Sequence, residues 1–103
     1  MLEKILLEML EAFLQEARDT QHLGSGYYTC LPFIERYNKL LKKVKEILPE
    51  GKGILDTFSA LDESVPTDPL EKTKVMEKII VESGQLIAFL KSIMDKEEKG
   101  GKG

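Results

Sequence analysis

The residues best equipped for chemistry lie near one another at the end of the first predicted helix. Asp19 and His22 are three residues apart, and Cys30 follows eight residues after His22. A carboxylate and an imidazole at this spacing share one helical face, as the ligands of di-iron bundles do. A thiol just before a helix N-terminus can act as a nucleophile when an imidazole is close. One hypothesis is therefore a small metal- or ligand-dependent enzyme that uses Asp19, His22 and Cys30.

The same region lacks the further groups that such chemistry needs. The chain has one His and one Cys, whereas a di-iron site needs two carboxylate–histidine pairs and two more carboxylates. A Cys–His pair also needs a third group that orients the imidazole, and none can be named here. We therefore predict no catalytic residue, no metal ligand and no cofactor, and the enzyme stays an alternative hypothesis.

A second alternative starts from the basic residues of the second predicted helix. Lys39, Lys42, Lys43 and Lys45 lie on its polar side and could contact phosphates, as in a nucleic-acid-associated regulator. No aromatic residue is interleaved with them, because Tyr37 falls on the apolar side. The chain as a whole carries a net charge of −3, which disfavours binding to nucleic acid or to an anionic membrane.

Length and composition indicate one small soluble domain. The 103 residues are 42% hydrophobic and 32% charged, which is ordinary for a globular chain. Charges at Glu3, Glu8 and Glu11 interrupt any signal-peptide apolar region, so we predict a cytoplasmic protein with no membrane segment. Lys and Glu number thirteen each against four amide side chains, a bias that predicts a thermophilic source.

The spacing of apolar residues predicts four helices and no strand. The helices are expected over 2–22, about 31–48, 54–63 and 69–97. Thr29 is the predicted N-cap of the second helix, and Asp68, followed by Pro69 and Glu71, is that of the fourth. Short connections between such helices favour an all-α, up-and-down four-helix bundle with three long helices and one short helix. The domain is assigned to residues 1–98 and a flexible tail to 99–103.

The first and fourth helices have more apolar surface or length than a single small bundle requires. Apolar residues of the first helix cover an arc of roughly 220°, against about 100° for an ordinary surface helix. A fourth helix of about 42 Å would exceed the second, at about 27 Å, so it must bend near Ser83 and Gly84, overhang its neighbours or pack on another chain.

We therefore predict a protein that acts through protein–protein contact and forms a homodimer or small homo-oligomer. A larger protein partner is a further expectation, since small bundles often act beside one. The candidate contact residues are Leu7, Leu10, Leu14, Val81, Ala88 and Phe89.

Overall fold

The computed structural model describes residues 2–22, 26–48, 52–64 and 68–102, with side chains for 2–22, 30–48, 53–64 and 68–95. It contains the helices α1 (Leu2–His22), α2 (Gly26–Ile47), α3 (Lys52–Leu55) and α4 (Pro69–Lys102). No strand occurs among the described residues. The fold class predicted from the sequence is therefore confirmed, since the chain is an all-α bundle of three long helices and one short one.

The core forms where the three long helices pack against each other. α1 contacts both α2 and α4, and α2 also contacts α4. Only three residues separate α1 from α2, a connection short enough to make them adjacent antiparallel helices. The buried core residues of the three helices are Leu6, Leu7, Leu10, Phe13, Leu14, Ala17, Cys30, Ile34, Tyr37, Leu40, Leu41, Val44, Met76, Ile79, Leu86, Ile87 and Leu90.

α4 is continuous through Ser83 and Gly84, so its excess length becomes an overhang. Its 34 residues correspond to about 51 Å, close to the 52 Å longest dimension of the molecule. α1 and α2 have 21 and 22 residues, so they are about 20 Å and about 18 Å shorter than α4. The predicted cap is confirmed, because the N–H of Leu70 donates to Asp68 Oδ1 at 2.9 Å. The helix continues past the predicted end near residue 97 to Lys102, and the flexibility of the tail stays a prediction.

The bounds of α2 and α3 differ from the sequence prediction. α2 begins at Gly26, so the predicted N-cap Thr29 lies inside the helix, as does Pro32. Pro32 removes one backbone hydrogen bond, and the neighbouring bonds keep the helix intact. α3 ends at Leu55, although the sequence predicts a helix over 54–63. The N–H groups of Thr57 and Phe58 donate to carbonyls three residues earlier, both at 3.0 Å, and the chain then leaves helical geometry.

Candidate interaction surface

The outer face of α1 carries a row of apolar side chains that the rest of the chain leaves exposed. Leu2, Ile5 and Met9 are 62%, 48% and 49% exposed, and Ala12 beyond them is also exposed. Their spacing puts all four on one side of the helix, along about 15 Å of its length. We call these four residues the outer stripe. Each is an ordinary surface residue when taken singly, but their alignment makes a continuous apolar surface.

The contact residues predicted on α1 lie instead in the core of the chain. Leu7, Leu10 and Leu14 are buried against the other helices, so this part of the prediction is corrected. Periodicity gives the width of the apolar arc but not which part of it the neighbouring helices cover. The buried residues of α1 occupy an arc of about 120° that includes Leu7 and Leu14, and the remaining apolar residues form the outer stripe.

The contact residues predicted on α4 differ from one another in their exposure to solvent. Val81 is 55% exposed and Ala88 is exposed, so both stay available to a partner. Phe89 is half-buried and packs against the core. Gly84, between Val81 and Ala88, has no atom within 4 Å of where a Cβ would lie. Leu70 of α4 is also 61% exposed, but the exposed apolar residues of α4 are spread from position 70 to position 88, so its apolar surface is more interrupted than that of α1.

Asp19, His22 and Cys30 have surroundings that differ from one another. Asp19 is exposed, and its Oδ1 accepts a hydrogen bond from Gln15 Nε2 at 2.9 Å. His22 is exposed at the end of α1, whereas Cys30 is a buried free thiol in α2. Within the described ranges, no group of three or more His, Cys, Asp or Glu side chains could hold a metal ion. Nothing in this arrangement adds support to the enzyme hypothesis.

The basic side of α2 is exposed, and two of its four lysines have partners in the chain. Lys43 Nζ pairs with Glu46 Oε2 at 3.4 Å, and Lys45 Nζ donates to the carbonyl of Phe58 at 2.8 Å. Lys39 and Lys42 are exposed, and Tyr37 is buried in the core. The side therefore offers scattered charge without an aromatic stacking surface, which is ordinary for a solvated helix.

The segment after α3, residues 56–64, is held against α2 by hydrogen bonds from Asn38, a residue with no role predicted from the sequence. Asn38 Nδ2 donates to the carbonyl of Leu61 at 2.9 Å, and the N–H of Leu61 donates to Asn38 Oδ1 at 2.8 Å. The N–H of Ser64 donates to Asp62 Oδ1 at 2.9 Å, which holds the pKa of Asp62 below its usual value. The sequence prediction of a helix over 54–63 is therefore wrong for this segment, which is irregular over 56–64.

An open groove of about 500 Å³ lies between α2 and this segment. Its charged side chains are two lysines and two glutamates, so the lining has no net charge that would favour an anion or a cation. The groove is lined by Asn38, Leu41, Lys42, Lys45, Glu46, Ala60 and Glu63. The lining of this groove shows how the segment after α3 lies against α2, and it does not indicate a ligand.

A smaller depression of about 180 Å³ lies between α1 and α2. The rings of Phe13 and Phe33 form its apolar part, with their centroids 5.6 Å apart and their planes tilted by 47°. Glu16, Pro32 and Arg36 complete its lining. The volume is below the roughly 300 Å³ of a typical small-molecule pocket, so we assign it no ligand.

Among the side chains that the structure describes, two buried hydroxyl groups have no hydrogen-bond partner, Tyr37 Oη on α2 and Ser83 Oγ on α4. The sequence suggests that Ser83 bonds back to the carbonyl of Ile79, and this prediction is wrong. Burial raises the pKa of Tyr37 well above its usual value, and the charge of Glu82 adds to the effect. Each unpaired hydroxyl costs free energy of folding that its neighbours must offset.

Among the helices that the structure describes, none combines the length and the apolar character needed to cross a bilayer.

Comparison with known proteins gives no relative from which a function could be transferred. No protein-family model, no curated protein and no solved structure matches the chain.

Proposed function

We propose that the protein is a non-enzymatic helical bundle that acts through protein–protein contact and associates with a second copy of itself through the outer stripe of α1. The carrying observation is that Leu2, Ile5 and Met9 remain about half exposed or more after the core is complete. A surface of this kind on a small bundle is typical of an interaction site. The exposed Val81 and Ala88 of α4 are a secondary contact in this proposal.

The size of the outer stripe predicts weak association. Stable interfaces usually bury about 1,200–2,000 Å² in total, and two stripes of four side chains offer less. The entropy lost on association further reduces the net affinity. We therefore expect a dissociation constant on the order of 100 µM, which corresponds to about −5.5 kcal/mol.

Sedimentation equilibrium over about 10 µM to 1 mM tests the proposal. The wild-type chain has a mass of 11.7 kDa, and its weight-average mass should rise toward twice that value. Ile5→Glu combined with Met9→Glu places two charges in the stripe and should keep the chain monomeric. Ser59→Glu combined with Thr73→Glu adds the same charge at exposed positions off the stripe, and this control should associate like the wild type.

Three results would overturn the proposal. One is a wild-type chain that stays at the monomer mass up to 1 mM. Another is a stripe variant that is folded by circular dichroism and associates as well as the control. The third is binding of the stripe to a different protein without self-association.

We further propose a cytoplasmic location and a thermophilic source. The buried free thiol of Cys30 is compatible with a reducing compartment, and the Lys- and Glu-rich composition supports the second point. Thermal unfolding that begins below about 65 °C, within the range of mesophilic domains, would contradict the thermophilic source.

A further inference from the structure

The outer stripe of α1 points away from α4 and borders α2. Glu11 Oε2 of α1 pairs with Lys91 Nζ of α4 at 3.4 Å, and Glu11 lies about 140° around the helix from the centre of the stripe. Phe13 lies about 60° from that centre, and its ring contacts the ring of Phe33 on α2. The stripe is therefore on the side of the α1–α2 layer that is opposite α4.

The same side of α2 carries exposed basic residues. Arg36 and Lys43 lie about 60° and about 80° around α2 from Phe33, and both are exposed. The side chains of α2 that hold residues 56–64 lie in the opposite rotational sense from Phe33, so that segment is on another side of the helix. Arg36 also lines one depression together with Glu16 of α1, which shows that the two helices share this surface.

The two halves of this surface carry opposite charge. On α1, Glu8 and Glu16 are exposed and lie within about 80° of the centre of the stripe, whereas every basic residue of α1 is about 120° or more away. On α2 the charges are those of Arg36 and Lys43. Among the described side chains no ion pair joins the two halves, since Lys43 pairs with Glu46 beside it and Arg36 forms none. We call the outer stripe with Glu8, Glu16, Arg36 and Lys43 the docking face.

Two copies can stack their docking faces with the helices aligned in two symmetric ways. A two-fold axis parallel to the helices places α1 of each copy on α2 of the other, so the acidic half meets the basic half. A two-fold axis across the helices places α1 on α1 and α2 on α2, so charges of the same sign are opposed. Opposite charges across an interface favour association and opposed like charges disfavour it, which selects the first arrangement.

The contact between Phe13 and Phe33 sets the levels of α1 and α2 along their common axis. Glu8 is five residues from Phe13, and Arg36 is three residues from Phe33 in the same direction, because the two helices are antiparallel. Glu8 and Arg36 therefore differ in level by about 3 Å. A two-fold axis parallel to the helices leaves every level unchanged, so Glu8 of each copy lies nearly level with Arg36 of the other.

On the basis of the proposed function, we infer that a second copy of this chain docks with the two-fold axis parallel to the helices, so that the outer stripe of each copy packs on α2 of the other and Glu8 faces Arg36 across the interface. Charge complementarity selects this occupant, because a face with an acidic half and a basic half matches a second copy of itself. The symmetric pair contains two Glu8–Arg36 contacts. The orientation and the role of α2 go beyond the proposed function, which names only the stripe.

Charge exchange tests the contact by sedimentation equilibrium. Glu8→Lys opposes Arg36 of the other copy, and Arg36→Glu opposes Glu8, so each single variant should weaken association roughly three- to tenfold. The double variant keeps the wild-type net charge and restores opposite charges, so its affinity should return to about the wild-type value. An equimolar mixture of the two single variants should form a heterodimer more tightly than either forms a homodimer.

Matched controls separate this contact from a general effect of net charge. Glu77→Lys and Lys78→Glu make the same changes of net charge at exposed positions of α4, outside the docking face. Both controls should associate about as well as the wild type. Circular dichroism at a concentration well below the dissociation constant checks that each variant folds. Charge variants of the docking face that associate no differently from these controls would overturn the contact.

Ionic strength tests which halves face each other. When α1 lies on α2 of the other copy, added salt screens an attraction, so the dissociation constant should rise between about 20 mM and about 500 mM NaCl. When α1 lies on α1, salt screens a repulsion and the dissociation constant should fall. A fall would overturn the orientation.

Cysteine cross-linking tests the orientation without relying on charge. In a Cys30→Ala background, chains with Met9→Cys mixed with chains with Arg36→Cys should form a disulfide-linked heterodimer. The two positions differ in level by about 1.5 Å, and α1 of one copy lies on α2 of the other. The mixed pair should therefore form faster than the Met9→Cys variant links to itself. Faster self-linking of the Met9→Cys variant would overturn the orientation.

Failure of the proposed function and failure of this orientation give different results. If the chain stays monomeric up to 1 mM, the proposed function fails and the orientation fails with it. If the chain dimerises and the Ile5→Glu/Met9→Glu variant does not, while the double charge variant associates no better than the single variants, the outer stripe is correct and the Glu8–Arg36 contact is wrong.

Discussion

Asn38 holds Leu61 by two hydrogen bonds, one in each direction between its side-chain amide and the backbone of Leu61. The amide of Asn38 thereby satisfies both backbone groups of Leu61, which has left helical geometry. Lys45 adds a bond to the carbonyl of Phe58 at 2.8 Å. The segment after α3 is thus attached to α2 by side-chain-to-backbone bonds, while Leu55 and Phe58 enter the core.

Replacing Asn38 by Ala should destabilise the fold by about 1–3 kcal/mol, because two hydrogen bonds are lost and the backbone groups of Leu61 lose their partners. Urea unfolding measures the change, and amide exchange at Leu61 should become faster than in the wild type. Lys39→Ala is the matched control, since Lys39 is exposed next to Asn38 on the same helix. An Asn38→Ala variant as stable as this control would show that the attachment contributes little.

Replacing Gly84 by Ala should stabilise the chain by about 1 kcal/mol, because glycine in a helix interior costs this much relative to alanine. Gly84 lies within continuous α4, and an added Cβ would meet no atom within 4 Å. Thermal and urea unfolding below the concentration of self-association measure the gain. Gln85→Ala, at the exposed neighbouring position, should change stability by only a few tenths of a kcal/mol. Destabilisation by Gly84→Ala would mean that the site is more crowded than the structure indicates.

The thiol of Cys30 should react slowly with a thiol reagent in the native protein, because it is buried in the core and must be uncovered first. The reaction should accelerate in urea in parallel with unfolding. Ile54→Cys in a Cys30→Ala background is the control for an accessible thiol, since Ile54 is 58% exposed. Fast modification of native Cys30, at a rate close to the control, would contradict its burial and favour the enzyme hypothesis.

The α-helical fold and the N-terminus of α4 could be predicted from the sequence, because apolar periodicity and the Asp68 cap are local signals. The partition of α1 into core and outer faces could not, because its apolar arc is wide enough for either side to be buried. The end of α3 was also predicted wrongly, because the contacts that hold the following segment are between residues distant in the sequence. The hydrogen bond between Asn38 and Leu61 joins residues 23 positions apart, and no local sequence pattern indicates it.

The exposed surface therefore follows from tertiary packing and not from composition. Leu7 and Leu14 look like extra apolar residues when α1 is considered alone, yet both are buried in the core of the bundle. Met9 looks like a core residue in the same pattern and lies outside. A candidate contact site on an amphipathic helix can be identified only after its neighbours are placed.

The phenol of Tyr37 should stay protonated in the folded chain well above pH 10, because burial raises its pKa and Glu82 adds to the effect. When folding raises the pKa of a group, the stabilisation linked to its protonated form is fully present below the unfolded pKa, which is about 10 for Tyr. This stabilisation is lost as the pH rises above that value, so the free energy of unfolding should fall above about pH 10. Tyr37→Phe removes the ionisable group and should flatten this part of the profile.

Absorbance at 295 nm measures the ionisation directly. A Tyr27→Phe/Tyr28→Phe variant leaves Tyr37 as its single tyrosine, since the chain contains three. Its absorbance should rise only in the pH range where circular dichroism reports unfolding, because ionisation requires exposure of the phenol. The same variant in urea should titrate near pH 10. A native titration near pH 10 with the helices intact would show that the Tyr37 hydroxyl reaches solvent, contrary to its complete burial between α2 and the other helices.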